Sequence, residues 1–246
     1  MTNSKLALLA QRVKTLSTKS SVVKDSVDFF HATVDSTGNG NAIVRFLPAL
    51  PGEEFPFVQI YNHAFQGPTG KWFIEPCPST LGLPCPVCES NKTFMNSGNE
   101  QKKNLAAVRK RKMNYVSNVL VVRDPKSSEK EGKVFLFKYG VKIMDKLKDM
   151  IAPPFADSEP IDPFDPEEGA NFRLRVVKTG SFPDYDKSAF HKPSSLGDPQ
   201  AVEAVLNQRR SLDEIVNPQH FKSYADLKAK FDQIIGTAGA QLAVAG

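Results

Sequence analysis

Long apolar runs are missing from this chain. No stretch approaches the roughly 18 residues that a bilayer-spanning helix needs. The N-terminal MTNSKLALLAQRVKTLSTKSS also lacks the continuous apolar core and small-residue cleavage site of a secretion signal. A cytoplasmic location is the expectation. Extreme composition is missing too: 40% hydrophobic residues among 246, with 17 Phe, describe a chain able to bury a full core as one domain or two. Cysteine is scarce, three residues in all, and these lie between positions 77 and 88. An odd, clustered set points to a metal before a disulfide.

Charge shows only a weak overall bias, net +5 with a pI near 9.0, which alone implies nothing about nucleic acid. Its distribution carries more. Lys102, Lys103, Arg109, Lys110, Arg111 and Lys112 follow one another with no acidic residue among them, whereas the stretch from Asp157 to Glu168 is acidic throughout and reads as a solvated loop.

Runs rich in Val, Phe and Leu predict strands over 27–34, 42–47, 55–65, 71–74, 115–123, 133–139 and 172–178. In the last, Phe172, Leu174 and Val176 share one face while Arg173 and Arg175 share the other. Helices are expected at 143–151, stopped by Pro153-Pro154, at 201–209, and from the capping-box-like Ser223 to Gly236, with Leu227, Phe231, Ile234 and Ile235 on one side. Leu6, Leu9, Val13 and Leu16 at helical spacing, with Lys5, Arg12, Lys14 and Lys19, make the N-terminus an arm that docks on its own core or on a neighbour. The fold class is mainly β with helices (α+β), and a small oligonucleotide-binding barrel is its natural candidate.

Four metal-ligand residues stand as H-x13-C-x7-C-x2-C: His63, Cys77, Cys85 and Cys88. Two thiolates three residues apart grip one ion while the backbone turns around it. Three sulfurs with one imidazole suit tetrahedral zinc better than an iron–sulfur cluster. The surrounding Pro- and Gly-rich stretch has little core of its own, so the ion is expected to staple it. Four protein ligands leave no open position for a hydrolytic water, and Ala64 and Phe65 after His63 exclude the H-x-E deaminase pattern. The zinc is therefore structural, and the chain is not expected to be an enzyme.

A single-strand binder needs a basic groove for phosphates and aromatic faces for bases. Arg109-Lys110-Arg111-Lys112 supplies the first, with Tyr115 three residues on. Phe135, Phe137 and Tyr139 alternate on one strand, a pattern of core as well as of stacking, while Phe182 and Tyr185 sit in a loop with Pro183, Asp184 and Asp186. Arg45, inside an apolar strand, either faces water or reaches a phosphate. The rival readings are a zinc hydrolase, a zinc-ribbon module that holds protein partners in a replication or transcription complex, and a duplex-reading factor.

The segments GNGNAIVRFLP at 38–48, the NH…GKW and CPVC region at 62–88, and RKRK–Y–N–LVV–DP at 109–125 carry a specific likeness. EGKVF at 131–135, EGANF at 168–172, SFPDYDKSAF at 181–190 and FKSYADLKAKF at 221–231 continue it. The chain resembles the single-stranded DNA-binding, helix-destabilising proteins of T-even-type phages. The resemblance implies an arm for cooperative self-association over 1–21 and a DNA-binding core over 22–236. Within that core it implies an oligonucleotide-binding (OB) barrel from about 25–61 and 113–197, an inserted zinc-binding subdomain of about 62–112, and C-terminal helices of about 198–236, followed by a tail remnant at 237–246. It implies one Zn²⁺ on His63, Cys77, Cys85 and Cys88, and DNA in a cleft between barrel and zinc subdomain. The DNA contacts fall on Arg45, Arg109, Lys110, Arg111, Lys112, Tyr115, Phe137, Tyr139, Phe182 and Tyr185. The implied role is coating single-stranded DNA and destabilising duplex during phage replication, recombination and repair. Phage replication and recombination proteins would be met through an acidic tail that these 246 residues do not carry.

Overall fold

A computed structural model describes residues 6–11, 29–180 and 182–244, with 237–244 as backbone only. Eight strands follow in chain order: β1 (Gly40–Phe46), β2 (Val58–Gln66), β3 (Trp72–Pro76), β4 (Lys112–Arg123), β5 (Val134–Tyr139), β6 (Ala170–Thr179), β7 (Phe182–Asp184) and β8 (Ala189–Pro193). The longer helices among the described residues are α1 (Pro86–Met95), α2 (Glu100–Arg109), α3 (Val141–Ile151), α4 (Pro199–Leu206) and α5 (Tyr224–Val244). The fold is mixed α+β and its named strand pairs are antiparallel. Among the described residues no helix is long and apolar enough to cross a membrane.

The described residues divide into two compact units, one of 6–11, 29–58 and 115–213, the other of 59–114 and 214–244. In the first, β1 lies between β4 and β6, β5 extends β4, and β7 and β8 pair with β6. Alternation decides which side chains go inside. Phe172, Leu174 and Val176 are buried while Arg173 and Arg175 face water, as their spacing required. Phe46 collects Phe137, Tyr139, Phe164, Phe172 and Phe190 around its ring at 5.5–6.3 Å between centroids. Edge and tilted contacts of this kind add to the burial of the rings themselves.

The strand expected at 27–34 is not formed over its described part. Phe29 and Val34 make only single bridges, to Leu136 and Gly40. Thr33 instead gives its backbone N–H and hydroxyl to the buried carboxylate of Asp124, which takes the place of a ladder. Residues 27 and 28 lie outside the described residues. Of the expected arm, 6–11 is helical and buries Leu9, which lines a cavity with Leu50, Phe55 and Phe164; Lys5, Arg12 and 13–19 lie outside the described residues.

The second unit is built on the β2–β3 hairpin, with α1 and α2 following it. These two helices were not anticipated, because their apolar residues are few. Their start signals are nonetheless present: Pro86 opens α1, and the Asn99 side chain accepts the N–H of Lys102 at the head of α2. The expected poverty of core is corrected here. Leu227, Phe231, Ile234 and Ile235 of α5 pack with Tyr61, Phe65, Phe73 and Val87. A helix some 140 residues downstream thus completes the core that the local sequence lacks. Ser223 caps it, accepting from Asp226 N and donating to the Asp226 carboxylate. Gly236, at φ 62, breaks the helical path where the sequence placed its end.

Candidate metal centre and nucleic-acid interface

Each metal-ligand residue is delivered by a different local device. His63 points inward from the middle of β2, opposite Glu75 in the register with β3. Cys77 follows β3 by one residue and enters a single 3-10 turn, Pro78–Leu81. Cys85 is the extended N-cap of α1, and Cys88, three residues on, lies in that helix's first turn.

The four ligand atoms lie within 4.8 Å of one another. Cys77 Sγ is 3.6 Å from Cys88 Sγ, and His63 Nε2 is 3.5 Å from both Cys85 Sγ and Cys88 Sγ. A zinc tetrahedron with sulfur at about 2.3 Å and nitrogen at about 2.0–2.1 Å has edges of roughly 3.5–3.8 Å. The donor set and its spacing fit that ion. The tautomer fits as well: His63 Nδ1 lies 2.9 Å from the carbonyl of Arg109, which can only accept, so Nδ1 carries the proton and Nε2 offers its lone pair. Packed together the groups perturb one another strongly. Burial opposes charge on His63, yet Cys77 and Cys88 raise its pKa to about 9, while the Cys77 thiol is pushed down by its neighbours and the Cys85 thiol up. A divalent cation replaces that competition by four ligand bonds.

The basic run wraps this centre with alternating fates. Arg109 is buried, its guanidinium 5.6 Å from the ring centres of both Phe94 and Phe231. Arg111 is half-buried, 4.0 Å over the Tyr61 ring, and donates to Ser79 Oγ, which in turn lies 3.0 Å from Cys77 Sγ. Lys110 and Lys112 point to solvent. So two of the four predicted cations are committed to rings and polar partners, and two are exposed.

The predicted aromatic contacts divide the same way. Tyr115 and Tyr139 are core residues of the first unit, stacked at 5.8 Å, with the Tyr139 hydroxyl bonded to Ser117. Phe137 is also buried, yet one edge lines a cavity of about 370 Å³ together with Phe30, Lys138, Lys178, Phe182 and Tyr185. Phe182 is 73% exposed and Tyr185 half-buried at this mouth. Lys142 of α3 anchors their loop through Asp184 at 2.7 Å and Asp186 at 2.8 Å.

Arg45 is placed differently from a phosphate contact. It is fully buried, and its Nη2 donates to the carbonyls of Asp165 at 2.8 Å and Ser194 at 2.9 Å. Gly169 is needed beside it, since a Cβ there would stand 2.4 Å from the Asp165 oxygen and 3.1 Å from Arg45 Nη2. Burial lowers the Arg45 pKa to about 10, so it remains charged at neutral pH. A buried cation in a strand is matched to backbone carbonyls, and the alternation of β1 alone does not reveal them.

These features define an α+β chain with a closed His-Cys₃ metal-ligand cluster and with exposed cations and aromatic rings on its surface. The family described as "gp32 DNA binding protein like" matches residues 38–235, and the chain belongs to it. Among its relatives, a single-stranded DNA-binding protein of Enterobacteria phage T2 is 38% identical over 239 residues, covering 94% of this chain and 78% of that protein. Its counterpart from Enterobacteria phage T4 is 40% identical over 213 residues, covering 83% and 69% respectively. The family is one of DNA-binding proteins, not of enzymes.

Proposed function

We propose that this protein binds single-stranded DNA, as its phage relatives' names state for them, and that it does so stoichiometrically and without strong sequence preference. The observation that carries the reading is the cavity of the first unit, where Phe137, Phe182 and Tyr185 meet Lys138 and Lys178. Rings offer faces for unpaired bases, each stack contributing about 1–3 kcal/mol, while ammonium groups replace counterions on the phosphates. In the second unit Lys110 and Lys112 offer further exposed cations, whereas Arg109 and Arg111 support that unit and Arg45, Tyr115 and Tyr139 support the first from within. The strand arrangement of the first unit is read as an OB-type barrel and the second as a zinc subdomain with one structural Zn²⁺ on His63, Cys77, Cys85 and Cys88. That ion holds β2, β3 and α1 together and takes no part in a reaction.

In this reading the protein coats and protects exposed strands in the infected cell's cytoplasm during phage replication, recombination and repair. Copies associate along the strand through the N-terminal arm. Binding one strand and refusing a duplex shifts melting by mass action. Titration of labelled oligo(dT) at several salt concentrations tests the proposal. Tight binding with a log–log slope near −0.7 per neutralised phosphate is expected; preference for duplex of the same length would overturn it.

A further inference from the structure

The hairpin that carries His63 has a second face. Along β3 the side chains alternate, so Phe73 and Glu75 are buried while Trp72 and Ile74 are 56% and 60% exposed. The register pairs Gln66 with Trp72, Ala64 with Ile74 and Asn62 with Pro76, which puts these six residues on one outward side. Asn114 joins them, donating from Nδ2 to Asn62 Oδ1 at 2.9 Å, while Met113 before it packs into the core. Lys112, two residues ahead of Asn114 and exposed, therefore also belongs to this side.

The chemistry of that face is unusual for a solvated sheet. It holds the chain's one tryptophan, a neighbouring Ile, three side-chain amides and an ammonium group, with exposed Lys71 beside the indole. It holds no carboxylate. Glu75, the acidic residue of the strand, is turned inward and tied to Lys222 and Lys230. A broad ring exposed beside amides and lysines, without acid, matches an unpaired nucleic-acid strand. The indole offers a stacking face, the amides reach base edges, and lysine meets phosphate. A purely apolar protein partner would leave the amides unanswered.

We propose that this outer face of β2 and β3 is a second contact surface for single-stranded DNA, with Trp72 stacking on a base and Lys112 on the adjoining phosphate. The inference rests on the single-strand reading above and adds a site to it. Because the chain has a single Trp, its emission reports on this face alone. In a titration of the intact, zinc-loaded protein with labelled oligo(dT), Trp72 emission should fall and its quenching by acrylamide should weaken in step with the label's anisotropy. Trp72→Ala should weaken binding about five- to tenfold, while Trp72→Phe, which keeps a ring, should lose much less. Unchanged emission and unchanged acrylamide access while anisotropy saturates would overturn the site and leave the single-strand reading standing. Equal affinity of Trp72→Ala and the parent would do the same. An absence of any anisotropy change in the parent would instead overturn both.

Discussion

Four consecutive cations, Arg109 to Lys112, meet three environments, and their substitutions should therefore fail in different assays. Arg109 lends its guanidinium to two rings, so Arg109→Ala should lower the melting temperature, while its backbone carbonyl, which survives the substitution, still accepts from His63 Nδ1. Lys110 and Lys112 touch solvent, so the pair of Ala substitutions should leave melting unchanged. It should flatten the salt dependence of oligo(dT) binding by about 1.4, two phosphates at roughly 0.7 each. Ser79 links Arg111 to Cys77 Sγ; Ser79→Ala should weaken zinc about 10- to 100-fold in a chelator competition, as loss of a partner to a metal ligand usually does. Arg45 is the sharpest case. Sequence placed it as a candidate phosphate contact, but its buried guanidinium feeds carbonyls, so Arg45→Leu should destabilise the first unit before it alters DNA affinity per folded molecule.

Two elements are held in place by distant partners. Helix α5 supplies four buried apolar side chains to the metal unit and receives Glu75 on Lys230, with Lys222 just ahead of the helix as the carboxylate's second partner. Phe231→Ala should cost about 3–5 kcal/mol of that unit's stability, measured by denaturant unfolding with zinc present. The loop with Phe182 and Tyr185 hangs instead on Lys142 through two aspartates. Here charge and positioning predict opposite signs. Replacing Asp184 and Asp186 by Asn removes two negative charges, which alone would strengthen binding to a polyanion. Loss of the anchor lets the rings wander from the cavity mouth, and a net weakening of oligo(dT) binding is the expected result.

At the scale of the molecule, the two units should respond differently to removal of a metal. Chelation should unfold residues 59–114 together with α5, because an ion held by His63, Cys77, Cys85 and Cys88 would bridge strands and helix. The first unit owns its aromatic cluster around Phe46 and has no share in the ligand set, so it should keep its protection in hydrogen exchange. Oligo(dT) in excess should raise the melting temperature, with about 2.7 kcal/mol of stabilisation at 100 times Kd.

Much of this was written locally. The ligand spacing, the strand alternation of β6, the cap at Ser223 and the break at Gly236 were legible because each depends on residues within one element or one turn. The same local logic named the basic run and the loop aromatics. Tertiary structure decided the rest, since burial depends on what arrives from elsewhere. Tyr115 and Tyr139 became core because the sheet stacked them, and Arg45 became structural because the carbonyls of Asp165 and Ser194 converge on it. The stretch that carries the cysteines gained a core because α5 returns to it from the far end of the chain. Spacing along a chain fixes which side chains share a face, and only packing fixes whether that face meets water, protein or a ligand.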